Sequence, residues 1–383
     1  MKKFDFYKPE ATVLLEDLNK IAEPSFQEFK TTKYILNFLH ENNIPVDKNL
    51  ETGCFGTIDC GAEKTIALRA DIDALPTNPE GTQFRHLCGH HAHTSLLLLA
   101  LKYLVQHKDE LKVNIRYLFQ PAEELGSGAL FMMKEGCLDG CAEVYGIHVD
   151  SHQTLGDILL KPGEFMAGAV MFDIKFTGNS THAAYPHTGD DVLVAATDYV
   201  NLCQKIITRF KNPIKKAVLS FCQITGGQAH NILTEELLIK GTYRYFDAEV
   251  KNLIEEKMGT IGDAIKLIYG VDVAISTVGG TVPLHNNPGL TAKLTEFFSG
   301  SELHVNTELD PMMGGEDFSF YLDECPGVFV NIGVAGESGH PPLHNKNFFV
   351  PVETVLLGVS FWVELVTNQL IEQETAGTPV TTK

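Results

Sequence analysis

The sequence predicts an α/β protein in two parts. One is a larger domain with a mostly parallel sheet covered by helices; the other is an inserted ferredoxin-like α+β domain. Three observations predict it. Short apolar strands alternate with helices between Thr65 and His148, the order of a parallel sheet with helical crossovers. From Ala169 the order becomes βαββαβ, which is that of a ferredoxin-like unit. The chain then returns to helix, strand and helix, and its 383 residues suffice for two domains of ordinary size. The expected bounds are 1–167 with 279–383 for the first domain and 168–278 for the second.

Taken in order, Pro9–Glu23 sets Leu14, Leu15, Leu18 and Ile21 on one helical face. Ser25 with Glu28 three residues on reads as the capped start of a second helix, which carries Tyr34, Ile35, Phe38 and Leu39 and ends near Asn42. Thr65–Ala70 is a short apolar strand running into Asp71-Ile72-Asp73. The helix Leu96–Val105 follows a stretch crowded with imidazoles, His86-Leu87-Cys88-Gly89-His90-His91-Ala92-His93. The strand Val113–Phe119 runs into Gln120-Pro121-Ala122-Glu123-Glu124, a helix covers Gly128–Glu135, and the strand Glu143–Ile147 ends at His148. In the inserted part, Ala169–Thr177 alternates apolar and polar residues as a half-buried strand does. A helix at Asp190–Phe210, strands at Ala217–Ile224 and Glu236–Phe246, a helix at Val250–Tyr269 and a strand at Val271–Thr277 complete it. Pro288–Ser299 is helical, Val328–Val334 is a strand, and Val352–Leu370 is a closing amphipathic helix. The polar tail from Glu372 is expected to be disordered.

Composition excludes several classes of partner. A formal net charge of −19 argues against nucleic acid and against an anionic membrane surface. Met1-Lys2-Lys3 is followed by Phe4-Asp5-Phe6-Tyr7 rather than an apolar run, so no signal peptide is expected. The most apolar segments, Ser95–Val105 and Val355–Val366, contain Lys102 and Glu364 and are too short to span a bilayer. The eight cysteines form no CxxC pair and read as reduced thiols of a cytoplasmic protein.

Cys88 is the exception. A histidine on an apolar face is ordinarily a satisfied core residue, but His86, His90, His91 and His93 crowd around one cysteine at a helix entrance. Imidazole and thiolate are the side chains that bind borderline transition metals. Ligands of open α/β sheets sit outside the carboxyl ends of the strands, and here successive strands end in Asp71/Asp73, Glu123/Glu124 and His148. Paired acids are also favoured simply as the start of a helix. In a metal site they can divide the labour, one binding the ion and its neighbour acting as a base. No G-x-S-x-G nucleophile turn is present.

The motifs Arg69-Ala70-Asp71-Ile72-Asp73-Ala74-Leu75-Pro76, Cys88-Gly89-His90, Phe119-Gln120-Pro121-Ala122-Glu123-Glu124, Gly146-Ile147-His148, His182-Ala183-Ala184-Tyr185-Pro186-His187, Gly315-Glu316-Asp317-Phe318 and Leu343-His344 occur in this order. Together they resemble those of the M20-type metallo-aminoacylases, in the branch of hippurate hydrolases, indole-acetyl-amino-acid hydrolases and N-acetyldiaminopimelate deacetylases. The likeness covers essentially the whole chain. It implies that Cys88, His90, Glu124, His148 and His344 hold two divalent ions, Zn or Mn, and that Glu123 is the general base. The inserted domain would be a lid that also makes a homodimer. In it, His182 would polarise the scissile carbonyl, while Asn231 and Arg244 would hold the substrate carboxylate. The implied substrate is a small N-acyl amino acid. The segment His182–Thr188 resembles the lid loop of N-acetyldiaminopimelate deacetylases, which points to lysine biosynthesis. A general aminoacylase, a dipeptidase of the same family and a non-catalytic metal- or ligand-binding member are the alternatives.

The sequence departs from the family pattern in three places. His91 stands where an aspartate is usual and is a possible cation or extra ligand. The segment between Pro76 and Cys88 is short. Asn19 and Ala22 replace a histidine and a proline of the first helix.

Overall fold

A computed structural model describes residues 2–300 and 303–367. The last residues of the expected closing helix, 368–370, and the polar tail lie outside the described residues. The chain separates into two compact units. One comprises the residues up to Gly163, His285–Asp310 and the chain from Asp317 on; the other comprises Glu164–Leu284 with Pro311–Glu316.

The first unit begins with α1 (Lys8–Lys20), α2 (Phe29–Glu41), β1 (Lys48–Asn49), β2 (Cys54–Ile58) and β3 (Thr65–Asp71). It continues with α3 (His90–Gln106), β4 (Asn114–Gln120), α4 (Gly128–Lys134), β5 (Glu143–Thr154) and β6 (Asp157–Leu159). The second unit holds β7 (Gly168–Thr177), α5 (Val192–Lys205), β8 (Ala217–Gly226), β9 (Glu236–Tyr245), α6 (Ala248–Tyr269) and β10 (Asp272–Gly280). The chain returns to the first unit with α7 (Pro288–Ser299), β11 (His304–Asn306), α8 (Phe318–Glu324), β12 (Gly327–Ala335) and α9 (Val352–Thr367).

The sheet of the first unit has eight strands in the order β1-β2-β4-β3-β5-β12-β6-β11. Its centre, β4-β3-β5-β12, is parallel, and antiparallel pairs flank it. Central strands covered on both faces need apolar residues on both. All nine residues of β12 except the last are buried, and β3 is buried from its second residue on. In the second unit the order β8-β9-β7-β10 is antiparallel throughout, the strand order of a ferredoxin-like fold. The alternation seen in the sequence turns Val170, Phe172, Ile174 and Phe176 of β7 into a core shared with Tyr199 of α5 and Ile254 and Met258 of α6. No helix among the described residues is long and apolar enough to cross a membrane.

Three local expectations are corrected. Ser25 does not cap α2, which begins at Phe29; the carboxylate of Glu23 accepts the amides of Lys30 and Thr31 at 2.8 and 3.0 Å. An acid one turn earlier thus serves the exposed N–H groups. The helix expected from Leu96 begins six residues earlier, so His90 to His93 form the first turn of α3. β5 does not stop before His148 but runs on to Thr154, because β12 stays paired with it. Pairing with β3 ends at Arg69↔Gly146, so His148 lies just past the point where its other neighbour has turned away.

α3 and α9 pack closely over the sheet. A Cβ built on Gly358 of α9 would stand 2.6 Å from Leu96 Cδ2 and 3.1 Å from Leu96 Cβ of α3. Both helices are buried along almost their whole length, so neither can shift without opening the core. Gly358→Val is therefore expected to lower unfolding free energy by about 1–3 kcal/mol, read from urea titrations.

Candidate metal centre

Five segments at the carboxyl edge of the first unit's sheet carry the functional groups. The end of β3 supplies Asp71, the turn after it Asp73, and the entrance of α3 supplies Cys88 and His90. The turn after β4 supplies Glu123 and Glu124, and β5 with the segment before α9 supplies His148 and His344. Gly89, the N-cap of α3, has φ +92° and sits against Val149, so a left-handed backbone free of a side chain lets Cys88 and His90 meet β5.

The donors converge. Cys88 Sγ is 3.4 Å from His148 Nε2 and 3.3 Å from His344 Nε2, and His344 Nε2 is 3.8 Å from Glu124 Oε1. His90 Nε2 stands 3.9 Å from Glu123 Oε2 and 4.0 Å from Glu124 Oε1. Two donors each about 2.1–2.3 Å from one tetrahedral ion are about 3.4–3.8 Å apart; the spacings among Cys88, His148, His344 and Glu124 lie within about 0.1 Å of that range, and those of His90 to the two glutamates are 0.1–0.2 Å wider. Cys88, Glu124 and His344 form one group of mutually close donors, and His90, Glu123 and Glu124 form another that shares Glu124.

Imidazole orientation is decided by the groups behind the donors. His90 Nδ1 faces the carbonyl and the carboxylate of Asp73 at 3.0 and 3.1 Å. That nitrogen is the donor, so Nε2, buried and without a hydrogen-bond partner among the described residues, is the one that can offer a lone pair to an ion once its proton leaves. A carboxylate behind a ligating histidine is the usual support of a metal site. His148 Nδ1 similarly donates to the Val149 carbonyl at 2.7 Å and turns Nε2 toward Cys88. His93 has a different task. Its Nε2 accepts the Val149 amide at 3.0 Å and its Nδ1 donates to Asp71 at 2.6 Å, so both nitrogens are engaged. Burial holds it neutral, with its pKa pushed down to about 3.

Charge favours a cation at the centre. Burial lowers the pKa of His90, but Asp71, Asp73 and Glu124 outweigh it and raise the group to about 10. Asp71 is held below the carboxylate range, against its own burial, by His90 and Arg69. His91 is not a cation: burial and the neighbouring imidazoles hold it far below the usual histidine value, and its ring stacks on His86 with centroids 5.1 Å apart.

Behind the donors lies a buried network that sequence reasoning missed. The guanidinium of Arg69 donates to Gln120 Oε1 at 2.9 Å, to Asp71 Oδ2 at 2.7 Å and to Asp317 Oδ1 at 3.0 Å. Asp317 also accepts from Gln120 Nε2 and from the Ala129 amide. The signal was an arginine inside an otherwise apolar strand. Glu28 was missed as well. It is fully buried, and its carboxylate accepts the Ala122 amide at 2.8 Å.

His182, Asn231 and Arg244 lie in the second unit. His182 pairs with Ile232 across a short ladder and its Nδ1 accepts the Ala184 amide at 3.0 Å; the Asn231 carbonyl accepts the Ala183 amide at 2.9 Å. Arg244 is held on β9 by Nε donating to the Met313 carbonyl at 3.0 Å and Nη1 to Thr242 Oγ1.

Two outcomes follow from these burials. Asp317→Ala leaves Arg69 paired with Asp71 but takes the acceptor away from three buried donors, an Arg69 N–H, the Gln120 amide and the Ala129 N–H, so it should cost about 3–5 kcal/mol of stability in urea titrations. Burial and the charge of Asp73 raise the Glu28 carboxyl from 4.5 to about 7. The native protein then holds a proton that the unfolded chain has released, so stability is greatest below the unfolded pKa and falls as pH rises through the folded one. In the metal-free protein the loss should be on the order of 3 kcal/mol between pH 4.5 and 8. Glu28→Gln should lose that much less over the same range.

Comparison with known proteins agrees with this geometry. The family model for peptidase family M20/M25/M40 matches residues 67–368. An N-acetyl-L-cysteine deacetylase of Bacillus subtilis is 34% identical over 365 residues, covering 93% of this chain and 86% of the relative. An N-acetyldiaminopimelate deacetylase of Streptococcus suis is 32% identical over 355 residues, covering 88% and 93%. The crystal structure of a dinuclear metal-binding M20 peptidase from Bacillus subtilis superposes with TM-score 0.80 at 27% identity, over 96% of this chain and 99% of that one. The match spans both units and every turn that carries a donor, and the chain belongs to peptidase family M20/M25/M40.

Proposed function

We propose that this protein hydrolyses the amide bond of N-acyl amino acids in the cytoplasm, as a homodimer with two divalent ions, Zn or Mn, per subunit. The observation that carries this reading is the pairing of Glu123 with Glu124. Glu124 shares a donor group with Cys88 and His344, while the adjacent carboxylate stands 3.9 Å from His90 Nε2. The metal residues are Cys88, His90, Glu124, His148 and His344, and the thiolate leans the preference toward Zn. When bound, the ions supply Lewis acidity, which polarises the carbonyl and makes water acidic near neutral pH.

The chain's own residues do the rest. Glu123 takes a proton from the attacking water as the new C–O bond forms, and delivers it to the nitrogen as the C–N bond breaks. His182 steadies the developing oxyanion. Asn231 and Arg244 bind the substrate carboxylate, for which a guanidinium offers a bidentate match. The relatives named above are deacetylases of N-acetyl-cysteine and N-acetyl-diaminopimelate, so small acetylated amino acids are the first substrates to test.

Reconstituted with Zn or Mn, the protein should turn over at least one member of a panel of N-acetyl-diaminopimelate, N-acetyl-cysteine, other N-acetyl amino acids, hippurate and dipeptides. Selective turnover of the first would place it in lysine biosynthesis; silence across the panel with both ions bound would overturn the enzyme reading. Glu123→Gln should keep both ions by metal analysis and lose about 100-fold or more in kcat. Glu124→Ala or His344→Ala should lose metal instead. The reverse pattern would refute the assigned roles.

A further inference from the structure

The segment Glu23–Glu28 between α1 and α2 touches two of the turns that carry the centre. The Glu23 carbonyl accepts the Ala74 amide at 2.9 Å. Ser25 Oγ donates to Asp73 Oδ2 at 2.7 Å, and that oxygen also accepts the Glu124 amide at 3.0 Å. Glu28 accepts the amide of Ala122, the residue before the Glu123-Glu124 pair. Ala122 has φ +56°, a left-handed conformation that costs a residue with a Cβ about 1–2 kcal/mol and persists only where its surroundings hold it. The bend aims the next two carboxylates inward, and Gly126 and Gly128 close it by donating to the Glu123 and Ala122 carbonyls. Among the described residues, the side chain that holds the Ala122 amide is that of Glu28, from a different part of the chain.

We propose that Glu28 is a positioning residue for the centre: its side-chain oxygen, accepting the Ala122 amide, locks the left-handed bend that presents Glu124 as ligand and Glu123 as base. It touches neither ion nor substrate. The requirement is for an acceptor at that point, which glutamine also supplies, and not for a negative charge. A residue that only filled the core would be replaced well by an apolar group, and one that acted by charge would not tolerate glutamine.

The kinetic arm of the test rests on the function proposed above; the metal arm does not. Zinc titration of the metal-free full-length protein, with a competing chelator, should show Glu28→Ala binding about tenfold or more weakly, the size expected for a lost support behind a ligand. Glu28→Gln should lie within about threefold of the wild type. In turnover of an N-acetyl amino acid, Glu28→Ala should lower kcat about tenfold or more while KM changes by less than about threefold, and Glu28→Gln should restore most of kcat. If Glu28→Ala does not fold, Glu28→Asp, which draws the acceptor back by one methylene, should show the same pattern at smaller size. Wild-type zinc affinity in Glu28→Ala or Glu28→Asp would overturn the proposal. So would a folded Glu28→Gln as impaired as Glu28→Ala. A wild type that binds zinc but hydrolyses nothing would defeat the function and leave the metal arm to decide on Glu28.

Discussion

The buried guanidinium of Arg69 is the constraint on which the rest of the centre depends. It is 1% exposed and faces two carboxylates, Asp71 and Asp317, with the Gln120 carbonyl between them. Taking three charges out of water is costly, and their attraction offsets the cost only when every donor and acceptor is satisfied. Here the satisfaction is close to complete. Asp71 also takes His93, and Asp317 also takes the amide of Ala129 and that of Gln120, whose Nε2 stands 2.8 and 2.9 Å from its two oxygens. The result ties the ends of β3 and β4 to the starts of α4 and α8. The edge of the sheet is therefore set by charge, where apolar packing alone would leave it free to slide.

From that anchor, order passes outward to the donors in two steps. Asp71 fixes the tautomer of His93, and His93 accepts the Val149 amide, so the strand that carries His148 is registered against β3 although the two no longer pair there. Asp73 orients His90 and accepts the Glu124 amide. The carboxylates that do this also fill the site with negative charge. The carboxylates of Asp71, Asp73 and Glu124 hold the proton on His90 against its burial, raising its pKa to about 10. Binding an ion there displaces the proton, so affinity and acidity are linked.

How much of this the sequence disclosed depends on the range of the contacts. The layer order was legible, because apolar periods of two and of 3.6 are local properties. The convergence of Cys88, His90, Glu123, Glu124 and His148 was legible in outline, because parallel strands put their carboxyl ends on one edge. What was not legible is what the residues face. Arg69 and Asp317 are 248 positions apart, and no local pattern pairs them. Glu28 sits three residues after a serine, which is the spacing of a capping box. Tertiary structure took both residues away from that role, Ser25 to Asp73 and Glu28 to Ala122, and left Glu23 to cap the helix. His91 shows the same limit. Replacing an acid by histidine suggests a new charge or ligand, but stacking on His86 in a buried setting keeps it neutral.

The backbone around the centre is held in uncommon conformations at the points where donors enter. Gly89, Ala122 and His344 all have left-handed φ, at +92°, +56° and +64°. Only the first is a glycine, for which the conformation is easy. The other two are stable only because something else holds them: the Ala122 amide is bound by Glu28, and the His344 amide donates to the Leu87 carbonyl at 2.8 Å, next to Cys88. Strain of this kind is kept where the exact direction of a side chain matters more than the local energy. A centre built on relaxed turns would be easier to fold, but its donors would then follow the preferences of their own short segments. Here each entering donor is aimed by a contact from a different segment. That arrangement fixes the spacing between thiolate, imidazoles and carboxylates before any ion arrives.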